Sequence, residues 1–187
     1  MSAGPLLTTP RLELWRPQQG DLADMFELTR DEETRRFLGP TPPSMPDSFA
    51  RLLRNAGSWS LWGYGNFMLR MPGSSRIIGG CGVFRSHRGF GADLGLDNVP
   101  EAGWVIHRDF TRQGIAREAM EAILAWFDQA HGNQRIAAMI ADGHVASDHL
   151  AHLLGFAAYG RHQDPETGET LILYERIAGS SAIKACP

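Results

Sequence analysis

Apolar positions along this chain recur with two different periods, and each period predicts an element. "RLELWRP" at 11–17 alternates, with Leu12 and Leu14 on one side, as a half-buried strand does until Pro17 stops it. Asp21 then caps a helix over "LADMFELTRDEETRRFL", where Leu22, Met25, Phe26 and Thr29 fall at helical spacing. The prolines of "GPTPPSMP" at 39–46 permit only a loop. A second helix follows through "DSFARLLRNAGSW", with Phe49, Leu52 and Leu53 facing inward.

"NFMLRMPGSSRIIGGCGVF" at 66–84 reads as two strands around the turn "PGSS", a hairpin. The Gly-rich stretch at 85–100 reads as a mobile loop. Its Gly89, Gly91 and Gly95 lack the spacing of a dinucleotide fingerprint, and no helix follows them. "EAGWVIHRD" at 101–109 is the central strand. Ala116, Ala119, Met120, Ile123, Leu124 and Phe127 then form the clearest amphipathic helix in the chain. "RIAAMIAD" is a buried strand, "ASDHLAHLL" a short helix closed by Gly155, and "FAAYGRH" and "TLILYER" the last two strands. With no repeat and no linker, this order predicts a single α/β domain whose sheet contains antiparallel pieces.

At 187 residues the chain can bury a core without metals or disulfides. A net charge of −3 and a pI near 6.1 speak against a general nucleic-acid binder. Cys81 sits in a strand pattern and reads as a buried, inert thiol, while Cys186 lies in the tail 177–187, read as disordered. No apolar run approaches the roughly 18 residues of a membrane span, and no basic-then-apolar leader opens the chain, so a cytoplasmic protein is expected. His144, His149 and His152 lie close in sequence but lack a suitably placed carboxylate or cysteine, so no metal is expected. Trp104 reads as core; Trp59 and Trp62 read as lining an acceptor pocket.

The chemistry concentrates in "RDFTRQGIAREAM" at 108–120, where the central strand hands over to the amphipathic helix. Small residues at a helix start leave N–H groups bare, and those groups together with the helix dipole attract anions. Gly114 removes a Cβ from the approach, Ala116 keeps the next bulk small, and Arg112 and Arg117 add positive charge. A phosphate or diphosphate site follows. No Gly-Lys-Ser/Thr is present, so nucleoside triphosphate hydrolysis is not expected.

"EAGWVIHRDFTRQGIAREAMEAILAWF", "RIAAMIADGHVASDHLAHLLGFAAYGR" and the opening "LTTPRLELWRP" together resemble the GNAT superfamily of acyl-CoA-dependent N-acetyltransferases. Within it they resemble the branch containing the ribosomal-protein-alanine acetyltransferases. The resemblance spans 7–176, implying one GNAT-like domain with a mixed, largely antiparallel sheet whose central strands splay apart. The family's Q/R-x-x-G-x-G/A turn, which cradles the diphosphate of coenzyme A, maps to Arg112, Gln113, Gly114, Ile115 and Ala116, with Thr111 replacing the first polar residue. Backbone N–H groups of Val105, Ile106 and His107 are the implied contacts for the pantetheine arm of acetyl-CoA. Glu101 matches the family's acidic residue at the start of this strand and is the implied general base, with His107 and Asp109 as runners-up. Ser147 matches a helix serine able to contact the pantetheine or the departing thiolate. The usual acidic tyrosine falls at Ala151, and the usual asparagine at His144.

The implied reaction is acetyl transfer to a primary amine, either a protein N-terminus or a small molecule, in a monomer or homodimer. The acceptor is expected between the loop 39–46, the segment 59–65 and the loop 85–100. The alternative is a non-catalytic acyl-CoA-binding or sensor module.

Overall fold

In the computed structural model, which describes residues 4–39, 41–90, 94–164 and 167–177, the alternating segments form an eight-stranded sheet. The strands are β1 (Leu7–Thr8), β2 (Glu13–Trp15), β3 (Asn66–Arg70), β4 (Gly79–Arg85), β5 (Pro100–Ile106), β6 (Ile136–Ala141), β7 (Ala157–Gln163) and β8 (Thr170–Arg176). The helices are α1 (Leu22–Arg30), α2 (Glu32–Arg35), α3 (Met45–Trp62), α4 (Ile115–His131) and α5 (Val145–Leu153). Spatial order is β1-β2-β3-β4-β5-β6-β8-β7, antiparallel throughout except between β5 and β6. This is the mixed, mostly antiparallel α/β sheet that the sequence implies.

The parallel neighbours β5 and β6 share a single register pair, Glu101 with Ala137. Beyond it the strands part, leaving the edge of β5 free as far as Ile106, a length of about 16 Å at strand rise. Two apolar layers enclose the sheet. On one face α4 and α5 bury Ile115, Met120, Ile123, Phe127, Leu150 and Ala151 against Phe67, Cys81 and Ala102. On the other, Met25, Leu28 and Leu52 from α1 and α3 meet Met68 and Ile77.

Four local expectations need correction. The helix expected over 22–38 breaks at Asp31, whose extended backbone (ψ 120°) lets its carboxylate accept from the Thr34 N–H at 2.8 Å and cap a new turn. On α3 only Leu52 is buried; Phe49 and Leu53 are 50% and 55% exposed. The inward stripe instead runs through Ser48, Leu52 and Trp59, so small polar residues occupy positions that periodicity gave to large apolar ones. Trp59 belongs to the core, stacked edge-on against Phe67 and donating from Nε1 to the Asn66 carbonyl, while Trp62 is exposed. The 85–100 loop is fastened rather than free over its described part: Leu96 is buried, and Asp97 accepts from the Arg88 and Gly89 N–H groups. Tyr159 donates to the Leu94 carbonyl and Arg135 to that of Gly95. Gly91 and the tail from 178 onward, Cys186 included, lie outside the described residues.

Candidate functional site

Gly114 sits at the N-cap of α4 with φ 75° and ψ 6°, and no side chain caps the helix. Arg112 also takes a left-handed backbone (φ 59°), so the turn reverses tightly before the helix starts. The Glu118 N–H donates to the Gly114 carbonyl at 3.0 Å as the first helical bond, leaving the amides of Ile115, Ala116 and Arg117 without backbone partners. A Cβ on Gly114 would meet only the tip of Arg11 at 3.6 Å, so glycine is required there for its backbone angle rather than for space within the protein.

Neighbouring side chains hold the turn. Thr111 Oγ1 donates to the Arg108 carbonyl, and Gln113 Nε2 to that of Asp109. Arg11, from the β1–β2 turn, donates to the Gln113 carbonyl and to Glu118, whose other oxygen accepts from Thr9 Oγ1 at 2.6 Å. These donors keep the Glu118 carboxyl below its ordinary range despite the opposing cost of burial. Thr9 and Arg11 escaped the sequence reading because nothing local ties residue 11 to residue 118. Arg117 is exposed and already paired with Glu121 at 2.7 Å.

The edge of β5 corrects two candidates. The His107 N–H donates to the Ile78 carbonyl at 2.8 Å, and the β4–β5 register runs unshifted from Ile106 opposite Gly79 to Pro100 opposite Arg85. Antiparallel pairing alternates, so Val105, like His107, turns its amide toward β4, whereas Trp104 and Ile106 turn theirs toward the gap. Of the three amides expected there, Ile106 alone faces it; Trp104 supplies the other.

At the point where β5 and β6 still touch, Glu101 is 4% exposed. Arg88 grips both its oxygens, at 2.5 and 3.0 Å, and Ser86 Oγ donates to one of them. Both oxygens of this carboxylate are therefore engaged within the protein. Ser86 and Arg88 lie in the Gly-rich loop that periodicity left blank, and they were not foreseen.

Ser147 and His144 come together on α5. Trp104 Nε1 donates to Ser147 Oγ at 3.1 Å, and His144 Nε2 lies 3.0 Å from the same oxygen. The His144 ring stacks on Phe37 with centroids 3.9 Å apart. Burial and the nearby Arg36 cation lower its pKa, which keeps it neutral near pH 7. Glu101 and Trp104 are three apart on one strand and so point to opposite faces, which puts Glu101 and Ser147 on opposite sides of the sheet. Ala151 is fully buried, and Cys81 too is enclosed, burial pushing its thiol up to about 12. Asp109 is more than half exposed and lies beside Arg76 and His107. Among the described residues no group of His, Cys, Asp and Glu is arranged to hold a metal ion. None of the described helices is long and apolar enough to cross a membrane.

Residues 11–157 match the sequence profile of the acetyltransferase (GNAT) domain. A GNAT-family acetyltransferase from Bordetella pertussis is 33% identical, with 91% of this chain and 98% of that one covered and a TM-score of 0.80. The ribosomal-protein-S5-alanine acetyltransferase from Vibrio fischeri shares the fold at 16% identity, over 92% of this chain and 96% of that one (TM-score 0.73). The ribosomal L7/L12 α-N-protein acetyltransferase RimL, solved with coenzyme A, shares it at 14% identity, over 94% and 98% (TM-score 0.73).

Proposed function

This chain belongs to the GNAT acetyltransferase family, and from that premise we propose that it transfers an acetyl group from acetyl-CoA to a primary amine. The observation that carries the reading is one of placement: an uncapped helix start at Gly114 adjoins a strand edge that has lost its neighbour. A diphosphate fits the first, through the open amides of Ile115 to Arg117 and the positive helix end. An extended amide-bearing arm fits the second, pairing with Trp104 and Ile106 as an added strand would. Acetyl-CoA supplies the activated acyl thioester, and RimL, with coenzyme A bound, is a relative of the same fold.

Residues of this chain then serve the transfer. Ser147 Oγ–H donates a hydrogen bond to the departing thiolate, which takes its proton from water, and the Trp104 Nε1–H donates to the same oxygen and holds it in place. Neutral His144, held by Phe37, fixes the serine rotamer. Glu101 is a positioning residue while Arg88 occupies it, and the amine sheds its proton to water. A protein N-terminal amine and a small-molecule amine are both acceptors of the right kind.

The test measures thiol release from acetyl-CoA across peptide and small-amine panels, with a thermal shift as the binding readout. Amine-stimulated release that falls about tenfold or more in Ser147→Ala, with the acetyl-CoA shift retained, supports the reading. A shift without release for any amine would make the protein an acyl-CoA-binding module, a reading favoured by the occupied state of Glu101. No shift at saturating acetyl-CoA would sink both.

A further inference from the structure

A recess of about 190 Å³ lies between the α1–α3 connection and the first turns of α3. Arg35, Arg51 and Arg54 line it together with Thr29 and Ser48. Its single lining carboxylate among the described residues, Asp47, is engaged by the Ser44 N–H at 2.9 Å and the Ser44 hydroxyl at 2.6 Å in the capping box of α3. Arg51 and Arg54 make no ion pair with any described carboxylate. Ser48 is only 2% exposed, yet its Oγ has no hydrogen-bond partner. A buried hydroxyl left without a partner is costly, so a partner brought in by a ligand is favoured there.

Two links tie this recess to the gap beside β5. Burial above all, then the Arg54 cation and last the Arg88 cation, lower the Arg51 pKa, so Arg51 lies within electrostatic reach of Arg88, the group that holds Glu101. On the other side, Phe37, next to the lining residue Leu38, stacks on His144, which contacts Ser147. The recess thus adjoins the groups that engage both Glu101 and Ser147.

We infer that this recess is an anion subsite for the acceptor, and that the natural substrate is an amine carrying a carboxylate or phosphate a few bonds from its nitrogen. The inference rests on the proposed acetyl transfer. Guanidinium groups supply paired donors matched to either anion, and Ser48 Oγ supplies a further donor at the recess floor. An amine that lacks the anion leaves mutually repelling cations uncompensated, and a polyamine adds to the repulsion. The same chemistry can come from a small metabolite or from an acidic residue close behind a protein N-terminus.

The experiment compares matched pairs with acetyl-CoA saturating: an amino acid against its amide, an aminoalkyl phosphate against the aminoalkanol, and N-terminal tripeptides with acidic against neutral second residues. The anionic member is expected to win by about tenfold or more in kcat/KM, expressed mainly in KM. In Arg51→Gln/Arg54→Gln that ratio collapses toward one while the acetyl-CoA thermal shift persists; Arg30→Gln, on the outer face of α1, leaves the ratio intact. Preference confined to the small pairs identifies a metabolite as the source of the anion, and preference among the tripeptides a protein end. Equal rates within every pair, or a ratio unchanged in the double variant, overturns the subsite. Calorimetric titration of each amine into the CoA-saturated protein keeps the two proposals separable: anion-dependent binding that needs the arginines, without turnover, upholds the subsite and defeats the transfer reading.

Discussion

The turn before α4, proposed as the diphosphate cradle, and the recess beside α3, proposed as the acceptor subsite, are built in opposite ways. The turn uses consecutive backbone amides, released by two left-handed residues and aimed by one helix. The recess uses side chains from separate elements, gathered around a buried serine. A backbone site is rigid and indifferent to most side-chain changes; a side-chain site is tunable one residue at a time. An enzyme that keeps one co-substrate and varies its acceptor needs one of each.

The sharpest break in this contrast is at Gly114. Gly114→Asp places a β-carbon at φ 75° and a negative charge on the open amides. We expect a loss of about 100-fold or more in acetyl-CoA affinity, some 3 kcal/mol, read by calorimetry, with the acetyl-CoA thermal shift abolished. A shift of wild-type size in this variant would show that the turn does not hold the diphosphate.

Ser147→Ala should lower kcat by about 100-fold while acetyl-CoA still binds, because the substitution removes the hydrogen-bond donor to the departing thiolate and leaves the backbone site untouched. Trp104→Phe should give a smaller fall in kcat, since it deletes only the donor to Ser147 Oγ. A Trp104→Phe enzyme as fast as the wild type would remove the indole from the mechanism.

The His144 effect is smaller and depends on pH. Its pKa is lowered in the folded state, so below the unfolded value of 6.5 the unfolded chain binds the proton more readily. Its contribution to stability is therefore complete above 6.5 and is lost as pH falls through the window beneath it. The melting temperature of His144→Asn should decline less than that of the wild type between about pH 7 and pH 5. Parallel declines would place the titration elsewhere.

The smallest effect belongs to Arg117→Ala. That guanidinium is exposed and paired with Glu121, so its loss should change acetyl-CoA affinity by less than about 1 kcal/mol. A large loss would mean that the turn relies on side-chain charge after all, and would narrow the difference between the two sites.

The same contrast explains what could be read from the chain. Gly114, the α4 stripe and the central strand were legible because each depends on residues adjacent in sequence. Glu101 stands out by its position at the start of the central strand, but its engagement by Ser86 and Arg88 is not visible in the sequence, since those residues lie in a Gly-rich loop without a period. Phe49 and Leu53 misled, because α3 buries serines where the pattern called for apolar groups. The amides of Val105 and His107 were assigned to the gap beside β5, whereas alternation along β5 gives that edge to Trp104 and Ile106.

By itself, then, the sequence determined the order of elements, the mixed sheet, the family, and a helix start with small residues and no side-chain cap. These follow from period, backbone preference and contiguous motifs, all of them short-range. Tertiary structure alone decided where β5 and β6 part, that Trp104 reaches Ser147, and that Arg35, Arg51 and Arg54 line one recess with an unpartnered Ser48 hydroxyl. Those facts depend on which distant side chains the folded core brings within hydrogen-bond reach, and no local pattern along the chain records such distances.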